Sequence, residues 1–205
     1  LRVVHQAHAG VAAARHNGLL AVRSEWVCIL DSDDRLLPGA LEVLAKALGT
    51  RPDVDLFYAD VLEMSHDGKP AGRVRYPLIR DNDKMIRSVF VRPRVPFKHS
   101  GTTFRTATGL ALGGYDVDLP FKIDVDLVLK FLSAGRRLHH IDEPLVAFRR
   151  HRKSISNSRR VEGIGVWSLL IERYRGDRPL EARTYKLLRG SVEYAKHVYA
   201  TVFFG

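Results

Sequence analysis

The segment WVCILDSDDRLLPGALEVL, Trp26 to Leu44, constrains the fold more than any other stretch of the chain. Trp26 to Leu30 is a short continuous apolar run, the pattern of a strand buried on both faces. Where it stops, Asp31, Asp33 and Asp34 crowd within four residues. A helix is then predicted from about Pro38, carrying Leu41, Val43, Leu44, Ala47 and Leu48 on a near-helical stripe and stopping at Gly49. Strand, acidic turn and helix in succession is the order of an α/β sheet.

Three carboxylates so close together repel one another unless a cation or strong donors hold them. Oxygen ligands at the carboxyl end of a strand suit a hard divalent ion, Mg²⁺ or Mn²⁺, with positions left for phosphate oxygens. The crevice at strand carboxyl ends is also where α/β sheets take ligands. A polar turn in which Asp33 or Asp34 caps the following helix satisfies the same residues. The spacing alone leaves both readings open.

A length of 205 residues suits one domain, or a domain with an appendage. No apolar run reaches the roughly 18 residues needed to cross a bilayer, and the start has no signal-peptide pattern. The single cysteine, Cys28, lies within the apolar run and reads as an inert buried thiol, in keeping with a reducing cytoplasm. The net charge of +10 calls for an anionic partner such as a nucleotide, an acidic lipid surface or nucleic acid. Its densest cluster is FRRHRK, Phe148 to Lys153, which also suits a solvated basic face.

Elsewhere, Gly10 to Val22 reads as a helix and the opening LRVV as a strand. Asp67, Gly68 and Lys69 supply a turn between two extended segments. Lys84 to Val91 and Asp124 to Leu132 have helical spacing, the latter ended by Gly135. GTTFR suits a strand, LALGGY ends a short helix, and two strands are expected on either side of Glu143 and Pro144. Beyond Ser158 two arginine-rich helices with many aromatics are expected, Gly163 to Tyr174 and Pro179 to Phe204.

Five segments in order resemble the family-2 glycosyltransferases of GT-A fold: GVAAARHNG, VCILDSDDRLLPGAL, LGGYD, KIDVDLVLKFLSAG and EPLVAFRRHRKSIS. The resemblance runs from about Gly10 to Ser156. It implies an α/β nucleotide-sugar-binding sandwich with a mostly parallel central sheet, followed by a C-terminal helical appendage, with the division at 1–158 and 159–205. It further implies an inverting enzyme that moves a sugar from a nucleoside-diphosphate sugar to an acceptor hydroxyl, in bacterial surface polysaccharide or glycolipid synthesis.

By that resemblance Asp33 coordinates a Mn²⁺ or Mg²⁺ ion on the donor diphosphate, with His151 as a further ligand. Asp31 holds the ribose or a metal-bound water, and Arg15 faces the nucleotide. Asp124 is the general base for the acceptor hydroxyl, although a helix N-cap is an equally ordinary use of that position. Asp126 is expected to bind acceptor. The partners implied are a nucleotide-sugar donor and a glycan or lipid-linked acceptor, in a cytoplasmic enzyme with peripheral contact at the inner face of the membrane; a homo-oligomer is left open and nucleic acid is not expected.

The chain departs from the family pattern in three ways. Ile123 stands where a glutamate is usual and His16 where asparagine is usual. The opening strand and the following D-D-x-S segment are absent, so the expectation is an N-terminally incomplete sheet. The competing readings are an inactive glycosyltransferase-like interaction module, a basic nucleic-acid-binding domain and a metal-dependent phosphoryl-transfer enzyme. The first keeps the fold without turnover, the second lacks any nucleic-acid-binding signature, and the third needs further carboxylates.

Overall fold

The computed structural model describes residues 2–150 and 160–204. Its elements in chain order are α1 (Gly10–Leu20), β1 (Trp26–Cys28), β2 (Arg35–Leu36), α2 (Ala40–Thr50), β3 (Leu56–Met64), β4 (Pro70–Val74), α3 (Asn82–Val91), β5 (Thr103–Arg105), α4 (Thr106–Ala111), α5 (Ile123–Ser133), β6 (Leu138–Arg149), α6 (Arg160–Arg175) and α7 (Pro179–Phe204). The six strands form one sheet in the order β1-β5-β3-β6-β2, with β4 also pairing with β3.

The α/β class expected from the acidic segment is what forms, but the sheet is mixed. Of its pairings only β3 with β6 is parallel; β1–β5, β3–β5, β3–β4 and β2–β6 are antiparallel. The mostly parallel sheet was what the resemblance implied; here the parallel pair is the central one, and the shorter strands around it run antiparallel. Along β3, Leu56 and Tyr58 point into one core while Phe57, Ala59 and Val61 point into the other. Helices therefore cover both faces of the sheet, α2 on one side and α1, α3, α5 and α6 on the other.

The segment around Glu143 and Pro144 is not a turn between two strands. Residues Leu138 to Arg149 form one strand whose register against β3 slips at Asp60, opposite Pro144. The slip is an enlarged β-bulge: between the Ala59–Ile141 and Val61–Val146 pairs β6 takes up three extra residues without ending the ladder. Asp60 is fully buried there and is satisfied by two N–H bonds from Arg73, by the amide of Tyr76 and by His140, 2.7 Å away. Burial alone would raise its carboxyl, but those bonds hold it below the usual carboxylate range.

Two local expectations change. Residues 2–4 of the opening run join no strand, and α2 starts from Gly39 in the left-handed conformation with no side-chain cap, so neither Asp33 nor Asp34 caps it. The C-terminal helices are present as expected, and α6 packs against the rest of the chain. Its Val166, Trp167, Leu170 and Ile171 are buried in the same core as Phe90, Phe131 and Leu127. Of the arginines and aromatics that made this region look separate, Trp167, Tyr185, Arg175 and Arg189 are buried while Tyr194 and Tyr199 are exposed. Among the described residues no helix is long and apolar enough to cross a membrane.

Candidate functional site

The carboxyl end of β1, the loop before β5, the end of β6 and the first turn of α5 meet at one edge of the sheet. The loop 98–102 is zipped onto the end of β1: Gly101 N–H donates to Ile29 C=O at 2.7 Å and Ile29 N–H to Thr102 C=O at 2.9 Å. The Asp31 amide donates to Ser100 Oγ at 3.1 Å. Arg15, from α1, donates to Asp31 Oδ1. Two of the residues expected at the nucleotide, Arg15 and Asp31, are thus brought together as an ion pair.

The three acids of the turn have different surroundings. Asp33 is exposed, and its backbone carbonyl accepts from Arg149 Nε at 3.1 Å. Asp34 turns inward; its Oδ1 accepts from the Arg149 amide at 2.8 Å, while Oδ2 is buried without a hydrogen-bond partner. Burial raises the Asp34 carboxyl, and the charges of Asp33 and Asp31 push in the same direction against the bonds from Arg149 and Ser100. These differences follow from β2: its pairing with β6 draws Asp34 under the strand end and leaves Asp33 on the rim.

Asp124 occupies the second position of α5 and does not cap it. The residue before the helix is Lys122, in the left-handed region at φ 62°, a strained conformation for a non-glycine residue and one that gathers at functional sites. Asp124 is half-buried. Burial would raise its carboxyl, but His99 when protonated, Lys122, Arg15 and Lys98 outweigh that and hold it below the usual range. Asp124 is therefore an ionised acceptor ringed by cations.

Lys98 and His99, beside Asp124, were not singled out from sequence. His99 is buried, shares a 3.1 Å hydrogen bond with the Tyr115 hydroxyl, and is pushed down to about 4 by burial. It is neutral at pH 7. The ammonium of Lys98 lies 3.2 Å from the centre of the Phe148 ring, and burial lowers it against the pull of Asp124, Asp34, Asp31 and Glu63. Three successive polar residues, KHS, directly before the strand run GTTFR were the available sign. No periodicity marks them, because they belong to a loop.

Tyr115 belongs to the LGGYD turn, and the glycines there have a structural reason. Gly114 has φ 57°, and a Cβ on it would stand 3.0 Å from His16 Nδ1 and 3.2 Å from Leu19. The turn passes tight against α1. His16, the departure from the family pattern, fills that contact, and its Nδ1 is buried without a partner.

Asp126, expected to bind acceptor, points away from Asp124. It is fully buried, accepts from Arg173 Nη1 at 2.9 Å and from the Tyr174 hydroxyl at 2.7 Å, and lies 3.3 Å from Lys130 Nζ. Two residues along a helix turn a side chain about 200° away, which takes Asp126 from the face of Asp124 into the packing against α6. His151 lies outside the described residues.

A divalent ion needs several oxygen ligands. Among the described residues no three His, Cys, Asp or Glu side chains converge to hold one. Asp31 is paired with Arg15, Asp34 faces inward, and Asp33 is exposed. That donor set fits an ion that takes most of its oxygens from a diphosphate and water, with one protein carboxylate as anchor.

Residues 1–102 match the family model described as glycosyl transferase family 2. The chain is 29% identical to the amylovoran biosynthesis glycosyltransferase AmsE of Erwinia amylovora, over 68% of this chain and 50% of that one. It is 30% identical to the pre-mycofactocin glycosyltransferase of Mycobacterium tuberculosis, over 72% of this chain and 32% of that one. The chain thus spans half the length of the first of these relatives and about a third of the second. Among solved structures it resembles residues 1–349 of S. aureus TarS, at a TM-score of 0.58 and 13% identity over 91% of this chain and 52% of that one. It also resembles the same protein in complex with UDP, at a TM-score of 0.54 and 15% identity over 81% and 46%. At that identity the likeness concerns the fold, which is of the GT-A kind.

Proposed function

The chain belongs to glycosyl transferase family 2, and from that premise we propose that its site transfers a sugar from a nucleoside-diphosphate sugar to an acceptor hydroxyl with inversion at the anomeric carbon. One observation carries this reading: the half-buried carboxylate of Asp124, kept ionised by Arg15, Lys98 and Lys122, stands in the same charge cluster as the acidic turn at the end of β1.

In this mechanism Asp124 accepts the proton of the acceptor hydroxyl. The oxygen attacks the anomeric carbon from the face opposite the leaving group, the bond from that carbon to the diphosphate oxygen breaks, and the electron pair leaves with the nucleoside diphosphate. Arg15 and Lys98 stabilise the charge that develops there, in a setting fixed before reaction. Asp33 would hold a Mn²⁺ or Mg²⁺ ion beside the donor diphosphate. Such an ion, when bound, lowers the cost of the leaving group's charge. His99, hydrogen-bonded to Tyr115, packs beside the base.

The depressed carboxyl of Asp124 keeps it deprotonated at neutral pH but makes it a weak base in the free enzyme. An acceptor that seats against Asp124 and excludes water from it raises its basicity at the moment of use. UDP is the nucleotide bound in the related TarS structure, which supports a uridine diphosphate donor. The relative named for amylovoran biosynthesis supports a bacterial polysaccharide or its lipid-linked precursor as the acceptor class. On α7, Leu180, Leu187 and Tyr194 are 82%, 66% and 64% exposed and recur every seven residues, a face suited to peripheral contact with an anionic membrane.

The test is nucleotide release from a panel of UDP-glucose, UDP-galactose and UDP-N-acetylglucosamine, with Mn²⁺ and with EDTA, followed by the anomeric configuration of the product. The reading requires metal-dependent release and an inverted product. Retention of configuration would remove Asp124 from the role of single base.

A further inference from the structure

Helix α6 grips the first turn of α5 on both sides of Asp124. Two residues before Asp124, the ammonium of the strained Lys122 stands 5.5 Å from the centre of the Trp167 ring. Two residues after it, the buried Asp126 accepts from Arg173 and Tyr174. The same Arg173 Nη1 donates to Asp116 Oδ2 at 2.7 Å, in the turn that carries Tyr115. Lys130 completes the tie, donating to Gly114 C=O at 2.8 Å while it pairs with Asp126.

These bonds are costly to lose. Exposed ion pairs contribute little, but Asp126 has no exposed surface, and a buried carboxylate stripped of its cation keeps the full penalty of desolvation. One guanidinium nitrogen shared between Asp116 and Asp126 thus couples two segments that lie ten residues apart and frame Asp124. We propose that α6 is a positioning clamp for the reaction centre, its Arg173, Tyr174 and Trp167 fixing the first turn of α5 and the Asp116 turn so that Asp124 is held among Arg15, Lys98 and His99. This rests on the reading of Asp124 as the base. None of the three α6 side chains touches a reacting atom in this account.

The experiment compares Arg173→Met, Arg173→Lys, Tyr174→Phe and Asp124→Asn in the full chain. It measures UDP-sugar turnover on the panel above, UDP affinity by calorimetry, and hydrogen exchange of residues 122–127. Arg173→Met should lower kcat about tenfold or more with UDP affinity within about twofold, since small misplacements of a reacting group are expensive. Lysine at 173 should recover part of that loss, and exchange at 122–127 should quicken in Arg173→Met and in Tyr174→Phe. Should Arg173→Met fail to fold, Tyr174→Phe, which removes only one hydroxyl, carries the test with a loss of a few-fold. Unchanged kcat in the clamp variants beside an inactive Asp124→Asn overturns the clamp alone. Near wild-type turnover in Asp124→Asn overturns both, and unchanged exchange at 122–127 overturns the clamp whatever the turnover.

Discussion

Asp124 and Asp126 sit two positions apart on one helix, and the difference between them is a matter of which face each takes. Asp124 turns to the cation-lined edge of the sheet, Asp126 to α6. The sequence carries both as acids in a first helical turn and does not say which faces inward, because the partners that decide it, Arg173 and Tyr174, lie more than forty residues away. His99 escaped notice for the same reason: its meaning comes from Tyr115 and from burial, neither of which is local. His99 also sets a pH dependence. Its folded-state value is depressed, so between about 6.5 and about 4 the unfolded chain binds a proton that the folded chain refuses. Stability should therefore fall as pH falls through that window, and denaturation midpoints of His99→Gln should fall less steeply than wild type over it. Asp124, depressed as well, loses its contribution only at lower pH, below the unfolded carboxylate value. At the rim, Asp33→Asn should weaken Mn²⁺-dependent UDP binding while the melting temperature stays within a few degrees, because an exposed side chain is changed and no apolar packing is disturbed. Calorimetry with and without Mn²⁺ decides it; equal UDP affinity in mutant and wild type would remove the ion from Asp33.

Among the elements, the long periodic ones were legible and the short, tertiary-determined ones were not. Helices α2, α3 and α5 follow from apolar spacing, with Asp81 capping α3 by accepting from the Lys84 amide at 2.7 Å. The bulge in β6 was hidden because Glu143 and Pro144 look like a turn in one dimension and only the neighbouring β3 shows the strand continuing. Helix α7 presents two different faces. Tyr185 and the Arg189–Glu193 pair are buried inward, and Leu180, Leu187 and Tyr194 stand outward. If the outward face meets a membrane, Leu187→Glu together with Tyr194→Glu should reduce co-sedimentation with anionic vesicles at low salt without lowering the melting temperature. Equal binding by wild type and double variant would place the membrane contact elsewhere or dismiss it.

For the whole molecule, a boundary drawn at Ser158 divides composition but not the core. The chain beyond it carries nine Lys and Arg against five Asp and Glu, which gave it the look of an appendage. Yet Trp167 is 1% exposed, stacks under Arg189 at 3.8 Å and meets Phe90 edge-on. Trp167→Ala should cost about 3–5 kcal/mol, the usual scale for a large buried aromatic, and a chain ended at Ser158 should aggregate or lose its cooperative unfolding transition, which calorimetric melting would register. A truncated chain that melted like the intact one would restore the appendage. The family and the α/β class were legible from five ordered segments, because the motifs mark where strands end and charges gather. The mixed sheet and the brace from α6 were not, since both are set by contacts between distant parts of the chain.

The central claim is that Asp124 takes the proton of the acceptor, and turnover of Asp124→Asn measured beside its UDP affinity tests it most directly. The variant should bind UDP with Mn²⁺ as the wild type does, because asparagine keeps the shape of the turn, while transferring sugar about 10² times more slowly or worse, the scale of a lost general base. Transfer at close to the wild-type rate would contradict the account.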